Sequence, residues 1–255
     1  MTPLLLLKLA LVPFAVWVAS LAARRWGHAV SGYLGGLPMI GGPITLYLAI
    51  DHGPDFAARS ALVTLAAVAG QAGHMLALSY AGRAMGALAG LLCGWMAYAA
   101  IATGVGTLAL APLTALAFAV AGLLLAWRLL PRPRTAATLP AVPAVELWLR
   151  LAAAFALAAG ILSGAATLGP TLSGVLLSLP ITGSIMPPFT LHLYGPDGLA
   201  RLLRGFVTGL TGFTAFFLVV SLALAPLGIV AAFSLATLAA LATVAVFSRR
   251  MRAHA

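Results

Sequence analysis

Between Arg83 and Arg128 the chain runs for 44 residues without an Asp, Glu, Lys or Arg. No water-facing helix tolerates that, and at about 1.5 Å rise per residue roughly 20 apolar residues already cross a ~30 Å hydrocarbon core. The run therefore supplies two crossings. The remainder is alike: 63% of the 255 residues are hydrophobic and 7% are charged, with a mean hydropathy of +1.11, whereas a soluble domain carries roughly 25% charged residues. These values place the chain among all-α polytopic membrane proteins. The formal net charge of +10 does not point to nucleic acid, because the basic residues sit singly or in short clusters between apolar runs, where topology accounts for them. The only cysteine, Cys93, lies within such a run and excludes an intrachain disulfide.

Charge-free runs count the helices. Spans are expected at 3–22, about 29–50, 60–82, two within 84–127 with a turn at Thr103-Gly104-Val105-Gly106, then 145–165, 170–192, 202–224 and 228–248. Residues 128–144, with three arginines and four prolines, form the linker. The total is about nine. An odd number puts the termini on opposite sides, with Arg24, Arg25, Arg83, Arg128, Arg132, Arg134, Arg201, Arg204 and the C-terminal arginines on one face. The positive-inside rule makes that face cytoplasmic, so in the cell's inner membrane the N-terminus lies outside and the C-terminus in the cytoplasm.

One string occurs twice. Residues 31–59, SGYLGGLPMIGGPITLYLAIDHGPDFAAR, return at an offset of 142 as SGVLLSLPITGSIMPPFTLHLYGPDGLAR at 173–201, without a gap. In this register Lys8 falls on Arg150, so the N-terminal run corresponds to an internal helix and is read as a span, not a signal peptide. Spans one to four match six to nine, and the fifth has no partner. The expected organisation is a four-helix repeat at 1–104, a linking transmembrane helix and cytoplasmic loop at 105–144, and a second four-helix repeat at 145–255. One crossing between the two units inverts the second, giving an inverted-topology repeat of the kind that supports alternating access in secondary transporters.

Pro38, Gly41, Gly42 and Pro43 fall near the middle of the second span, and Pro180 and Gly183, with Thr182 and Ser184 beside them, fall in the seventh. Proline in a helix interior frees backbone groups, and these survive at membrane depth only where buried in protein or lining a cavity. Paired interruptions of two halves mark a transporter's binding site; the alternative is a pair of packed kinks. Gln71 and His74 share one face of the third span, and Thr211 belongs to a hydroxyl stripe in the matching helix. These complete the expected substrate site, with hydrogen-bonded packing as the alternative for His74. In the GPD-x-x-AR motif, Asp55 and Asp197 stand as N-caps and pair with Arg59 and Arg201 four residues on, an architectural motif or a gate latch. Lys8 and Arg150 are expected to snorkel, with attraction of an anion by the charge kept in both copies as the alternative. Asp51, His52 and Asp55 are the only grouping that suggests an enzyme, and the second copy keeps only the last of them. No metal ligand set, cofactor or catalysis is expected.

The segment SGYLGGLPMIGGPITLYLAI, with its small-residue start, its proline and its polar-aromatic end, resembles the short four-helix inner-membrane proteins of the GlpM type. The resemblance covers one repeat at a time, departs from that family by the duplication and the extra helix, and implies no substrate. The five-plus-four plan is similar to that of drug/metabolite transporters, an analogy of fold only. The expected function is a secondary carrier, an exporter or permease for a small metabolite or amphiphile. A lipid flippase or scramblase, which would open laterally to lipid beside one broken helix, and a non-transporting membrane scaffold are the alternatives. Partners reduce to a small-molecule or lipid substrate and membrane lipid, with a homo-oligomer possible and no nucleic acid.

Overall fold

The computed structural model describes residues 3–108, 110–135, 144–164, 175 and 178–252. Among them the regular elements are all α-helices: α1 (Pro3–Trp26), α2 (His28–Gly36), α3 (Gly41–Asp51), α4 (Pro54–Ala66), α5 (Val68–Met85), α6 (Ala87–Gly106), α7 (Pro112–Leu129), α8 (Ala144–Gly164) and α9 (Ile181–Arg252). Non-helical backbone at Gly195 and Gly228 divides α9 into segments 181–194, 196–227 and 229–252. Five stretches of the described residues are long and apolar enough to cross a membrane: His28–Asp51, Pro54–Met85, Ala87–Gly106, Pro112–Leu129 and Ile181–Ser248. The outer surface agrees with this, since Leu88, Leu113 and Val230 are 71%, 79% and 81% exposed. Apolar side chains this open on several helices need an apolar solvent.

The duplication is visible in the backbone. Gly53 (φ +89) and Gly195 (φ +67) stand 142 residues apart, as do Gly86 (φ +92) and Gly228 (φ +74). All four occupy the left-handed half of φ space, which glycine enters without steric cost. Pro54 and Pro196 follow the first pair and restart a helix with a φ already suited to it.

Apolar side chains gain nothing by leaving lipid, so helices associate through close packing, and small residues let backbones approach. The tightest contact joins α2 to the middle segment of α9. A Cβ added at Gly32 would fall on the Leu202 carbonyl oxygen, one at Gly205 on the Ala29 carbonyl oxygen, and one at Gly209 on the Tyr33 carbonyl oxygen. Gly36 completes the set, facing the Phe206 carbonyl and the Gly209 backbone. Within the first copy, α5 and α6 approach similarly, where a Cβ on Gly90 would lie 2.6 Å from Gly82 Cα.

Several boundaries differ from expectation. The turn after the fourth span lies at 107–111, not 103–106, because the Thr103 hydroxyl donates back to the Ala99 carbonyl inside a continuing helix and Pro112 opens the next one. The expected boundary at 104 thus falls inside α6. Arg24 and Arg25 lie in the last turn of α1, not beyond its end. The third span begins at Pro54 and turns at Ala67 between α4 and α5. Between the expected spans 202–224 and 228–248 the helix is interrupted at Gly228, and Pro226 lies within the preceding helical segment. Most of the expected seventh span before residue 178 lies outside the described residues.

A methyl group at Gly205 has only backbone to push against, so Gly205→Ala is expected to destabilise the bundle by about 1–3 kcal/mol, the usual cost of overpacking. Gly104→Ala, where nothing lies within 4 Å of the added Cβ, is expected to be neutral or slightly stabilising. Thermal unfolding of the two variants in the same detergent checks the pair; equal stability would contradict the packing described.

Candidate functional site

The chain makes the same turn at Pro38 and at Pro180. Met39 N–H donates to Leu37 C=O at 2.8 Å, and at the corresponding positions Ile181 N–H donates to Leu179 C=O at 2.8 Å. The central residues, Pro38 and Pro180, have no amide hydrogen, and their ring-fixed φ suits a three-residue turn of this type. Beyond each turn a helix restarts, tightened in α3 by Thr45 Oγ1 bonding Gly41 C=O at 2.7 Å and in α9 by Ser184 Oγ bonding Pro180 C=O at 2.7 Å.

The two turns converge on an internal cavity of about 60 Å³, lined from the first copy by Leu37, Gly41, Gln71 and Met75 and from the second by Pro180, Thr182, Gly183 and Phe206, among others. A water needs about 10–15 Å³ of such volume. The cavity therefore admits a few waters and is too small for a metabolite in this conformation. Gln71 is 6% exposed and Thr182 5%, so the polar groups of the wall are held away from bulk solvent.

His74, fully buried on α5, donates from Nε2 to the Gly183 carbonyl at 3.2 Å, and Gly94 of α6 leaves the room its ring occupies. This bond joins the third span of the first copy to the broken helix of the second. The reciprocal contact exists without the polarity: Phe216, at the position matching His74, packs on the first broken helix, where a Cβ on Gly42 would lie 3.3 Å from its ring. On that side an open groove of about 390 Å³ is lined by Pro38, Gly42, Pro43, Phe216, Phe233 and Leu241, among others, and it shares Leu37 and Met39 with the cavity.

The expected site residues thus divide. Gly41, Gln71, Pro180, Thr182 and Gly183 line the cavity, and His74 touches it through Gly183. Pro38, Gly42 and Pro43 line the outer groove instead. Ser184 and Thr211 line neither; their hydroxyls return to the Pro180 and Thr208 carbonyls of their own helix. A helix places successive residues about 100° apart, so neighbours in sequence face different spaces.

The GPD-x-x-AR motif is built otherwise than its spacing suggests. Gly53 is the N-cap of α4, Pro54 follows it, and Asp55 lies exposed within the first turn. No ion pair joins Asp55 to exposed Arg59 among the described residues. In the second copy Asp197 and Arg201 both turn to Thr135 of the linker. Asp197 Oδ2 accepts from the Thr135 hydroxyl at 2.7 Å, the Thr135 amide at 2.8 Å and the Arg134 amide at 3.2 Å, while Arg201 donates to the Thr135 carbonyl and hydroxyl. Nearby, Arg83 bonds the Pro196 carbonyl at 3.0 Å, and Arg204 bonds the Leu130 carbonyl at 3.0 Å with its guanidinium 4.2 Å from the Trp127 ring. The linker and the basic ends of several helices are therefore tied together at one end of the bundle.

Arg150 does not snorkel. It is fully buried and paired with Glu146 one turn earlier on α8. Tyr194 donates to Glu146 Oε2 at 3.0 Å, Arg150 reaches Ser20 and Met186 at 3.4 Å each, and His28 stacks beside Tyr194 with ring centroids 4.7 Å apart. The Glu-x-x-x-Arg spacing was a legible signal for this pair; Ser20, Met186 and Tyr194 join it only through tertiary packing. The Lys8 side chain lies outside the described residues. A second site missed from sequence is Tyr98, whose hydroxyl lies 2.6 Å from the Val175 carbonyl and 2.7 Å from Ser178 Oγ, tying α6 to the approach to the second break.

Glu146→Gln would leave Arg150 buried without its counter-ion, a loss of about 3–5 kcal/mol. Replacing both members by methionine should recover most of it. Unfolding of the three proteins in detergent decides this; a single variant as stable as the parent would mean that Arg150 finds another partner. Compared with protein-family models, with curated proteins and with solved structures, the chain gives no match.

Proposed function

We propose that this chain is a secondary carrier of the inner membrane that moves a small metabolite or amphiphile by alternating access about its two broken helices. The observation that supports the reading is the convergence of two equivalent proline turns, one from each copy, on a single internal cavity. Such breaks are costly in lipid unless they line a binding site. In this reading the copies lie in opposite orientations across the membrane, nine crossings place the C-terminus in the cytoplasm, and the cavity of about 60 Å³ belongs to an occluded state.

Rocking one copy against the other would open the cavity to each side in turn. The clasp made by Thr135, Asp197, Arg201, Arg83 and Arg204 would close the cytoplasmic side, and Asp55 and Arg59, exposed in the matching motif, would stand at the outer side. A flippase shares this framework and draws support from the groove beside the first break. A scaffold would leave both breaks without a role.

Flux into proteoliposomes, screened over small polar solutes and single-chain amphiphiles, tests the proposal. At least one solute should move saturably, and Pro38→Ala and Pro180→Ala should each reduce the flux severalfold by letting the helix continue. If no solute moves, or if both variants transport like the parent, the carrier reading fails.

A further inference from the structure

The groove beside the first break is wider and more open than the cavity. Its outer rim is formed by Thr237 and Leu241 on the last segment of α9, and Leu241 is 56% exposed. The adjoining face of that segment carries Leu235 and Leu238, 47% and 64% exposed. The segment lies in a stretch apolar enough to cross the membrane, so the mouth meets acyl chains and not water. Its volume of about 390 Å³ falls within the range of small-molecule sites, roughly 300–1,000 Å³.

Two observations distinguish it from an ordinary crevice between helices. Leu37 and Met39 line both the groove and the cavity, so the two spaces adjoin at the first proline turn. The other is a divergence between the copies at one pair of corresponding positions: His74 holds a backbone carbonyl beside the cavity, and Phe216 offers a phenyl face to the groove. Phe216 also packs edge-on against Phe233, at 5.9 Å between centroids, which makes that wall aromatic. The cavity wall adds the Gln71 amide and the Thr182 hydroxyl and, among the described residues, no charged side chain. A symmetric pair of sites would suit a symmetric ligand; a polar end and an apolar end joined at Leu37 and Met39 suit a molecule with the same two ends.

We propose that the groove binds the alkyl chain of a single-chain amphiphile whose uncharged polar end enters the cavity. The inference rests on the carrier reading and narrows its substrate class. With no charged side chain in the lining among the described residues, a charged head of either sign would enter without a counter-ion, and the groove has room for one chain.

The test is photolabelling of the full chain in vesicles of phosphatidylethanolamine and phosphatidylglycerol, using a fatty alcohol that carries a diazirine on its alkyl chain, with adducts mapped by mass spectrometry. Adducts should concentrate on Phe233, Thr237 and Leu241, should saturate, and should be displaced by unlabelled fatty alcohol. Thr237→Trp and Leu241→Trp, which fill the mouth from exposed positions, should each lower that labelling severalfold while leaving helix content unchanged. Adducts spread evenly over open apolar positions such as Leu113, Leu124 and Val230, without saturation, would identify annular lipid only and overturn the proposal. Saturable labelling by a diazirine phospholipid but not by the fatty alcohol would overturn the single-chain assignment. Unsaturable labelling together with saturable flux of a polar solute removes this inference and leaves the carrier; saturable labelling without any flux does the reverse.

Discussion

The contact of backbone on backbone between α2 and the middle segment of α9 holds the rest in place. Gly32 and Gly36 meet Gly205 and Gly209 with no side chain between. In a membrane such a contact replaces the missing hydrophobic drive by dispersion at the shortest range backbones allow. It also fixes position. Because α2 ends at Gly36 and the chain turns at Pro38, seating α2 on α9 places the first proline turn over Phe206, on the wall of the cavity that the second turn also lines. His74 makes the complementary tie, from α5 to Gly183 just past the second turn. Each break is thus held by the other copy, and a shift of one copy against the other alters the cavity between them.

Charge is distributed with the same economy. The chain has four acidic residues. One of them, Glu146, neutralises the fully buried Arg150, and Asp197 collects the linker through Thr135. Buried ion pairs are weak sources of net stability, yet breaking one is expensive. Glu146 and Arg150 therefore specify how α8 meets α1 and the first segment of α9, through Ser20, Met186 and Tyr194. Asp51 and Asp55, the remaining two, lie exposed. The corresponding ends of the two copies are built from related sequence but are bound very differently: Asp197 holds Thr135 of the linker, and Asp55 lies exposed.

Much of the helical pattern was legible in the sequence, because length of apolar run and interruption by proline or glycine are local properties. The repeat gave more than composition: pairing Leu37-Pro38-Met39 with Leu179-Pro180-Ile181 located two turns that share one hydrogen-bond pattern. What escaped was tertiary. Asp55 occupies a cap-like position by spacing, yet Gly53 with its positive φ takes that place, and a glycine cap leaves no side-chain trace to read. Spacing likewise paired Asp197 with Arg201, and no periodicity could reveal that Thr135, far back in the linker, stands between them. Pro38 and Gly41 sit three residues apart and were grouped together, but they face the groove and the cavity respectively. The partners of Arg150 come from three helices, and of them only Glu146, one turn away on the same helix, leaves a trace in spacing.

The claim on which everything else rests is that the two breaks meet. Gly35 of α2 and Thr182 of α9 lie side by side at the cavity, where a Cβ on Gly35 would be 3.1 Å from Thr182 Cγ2. With Cys93 replaced by alanine, cysteines at positions 35 and 182 should form a disulfide on mild oxidation in membranes, visible as a gel shift after cleavage of the chain in the 130–135 linker. Absence of that crosslink, with both thiols intact and each protein folded, would contradict the convergence of the two copies on one cavity.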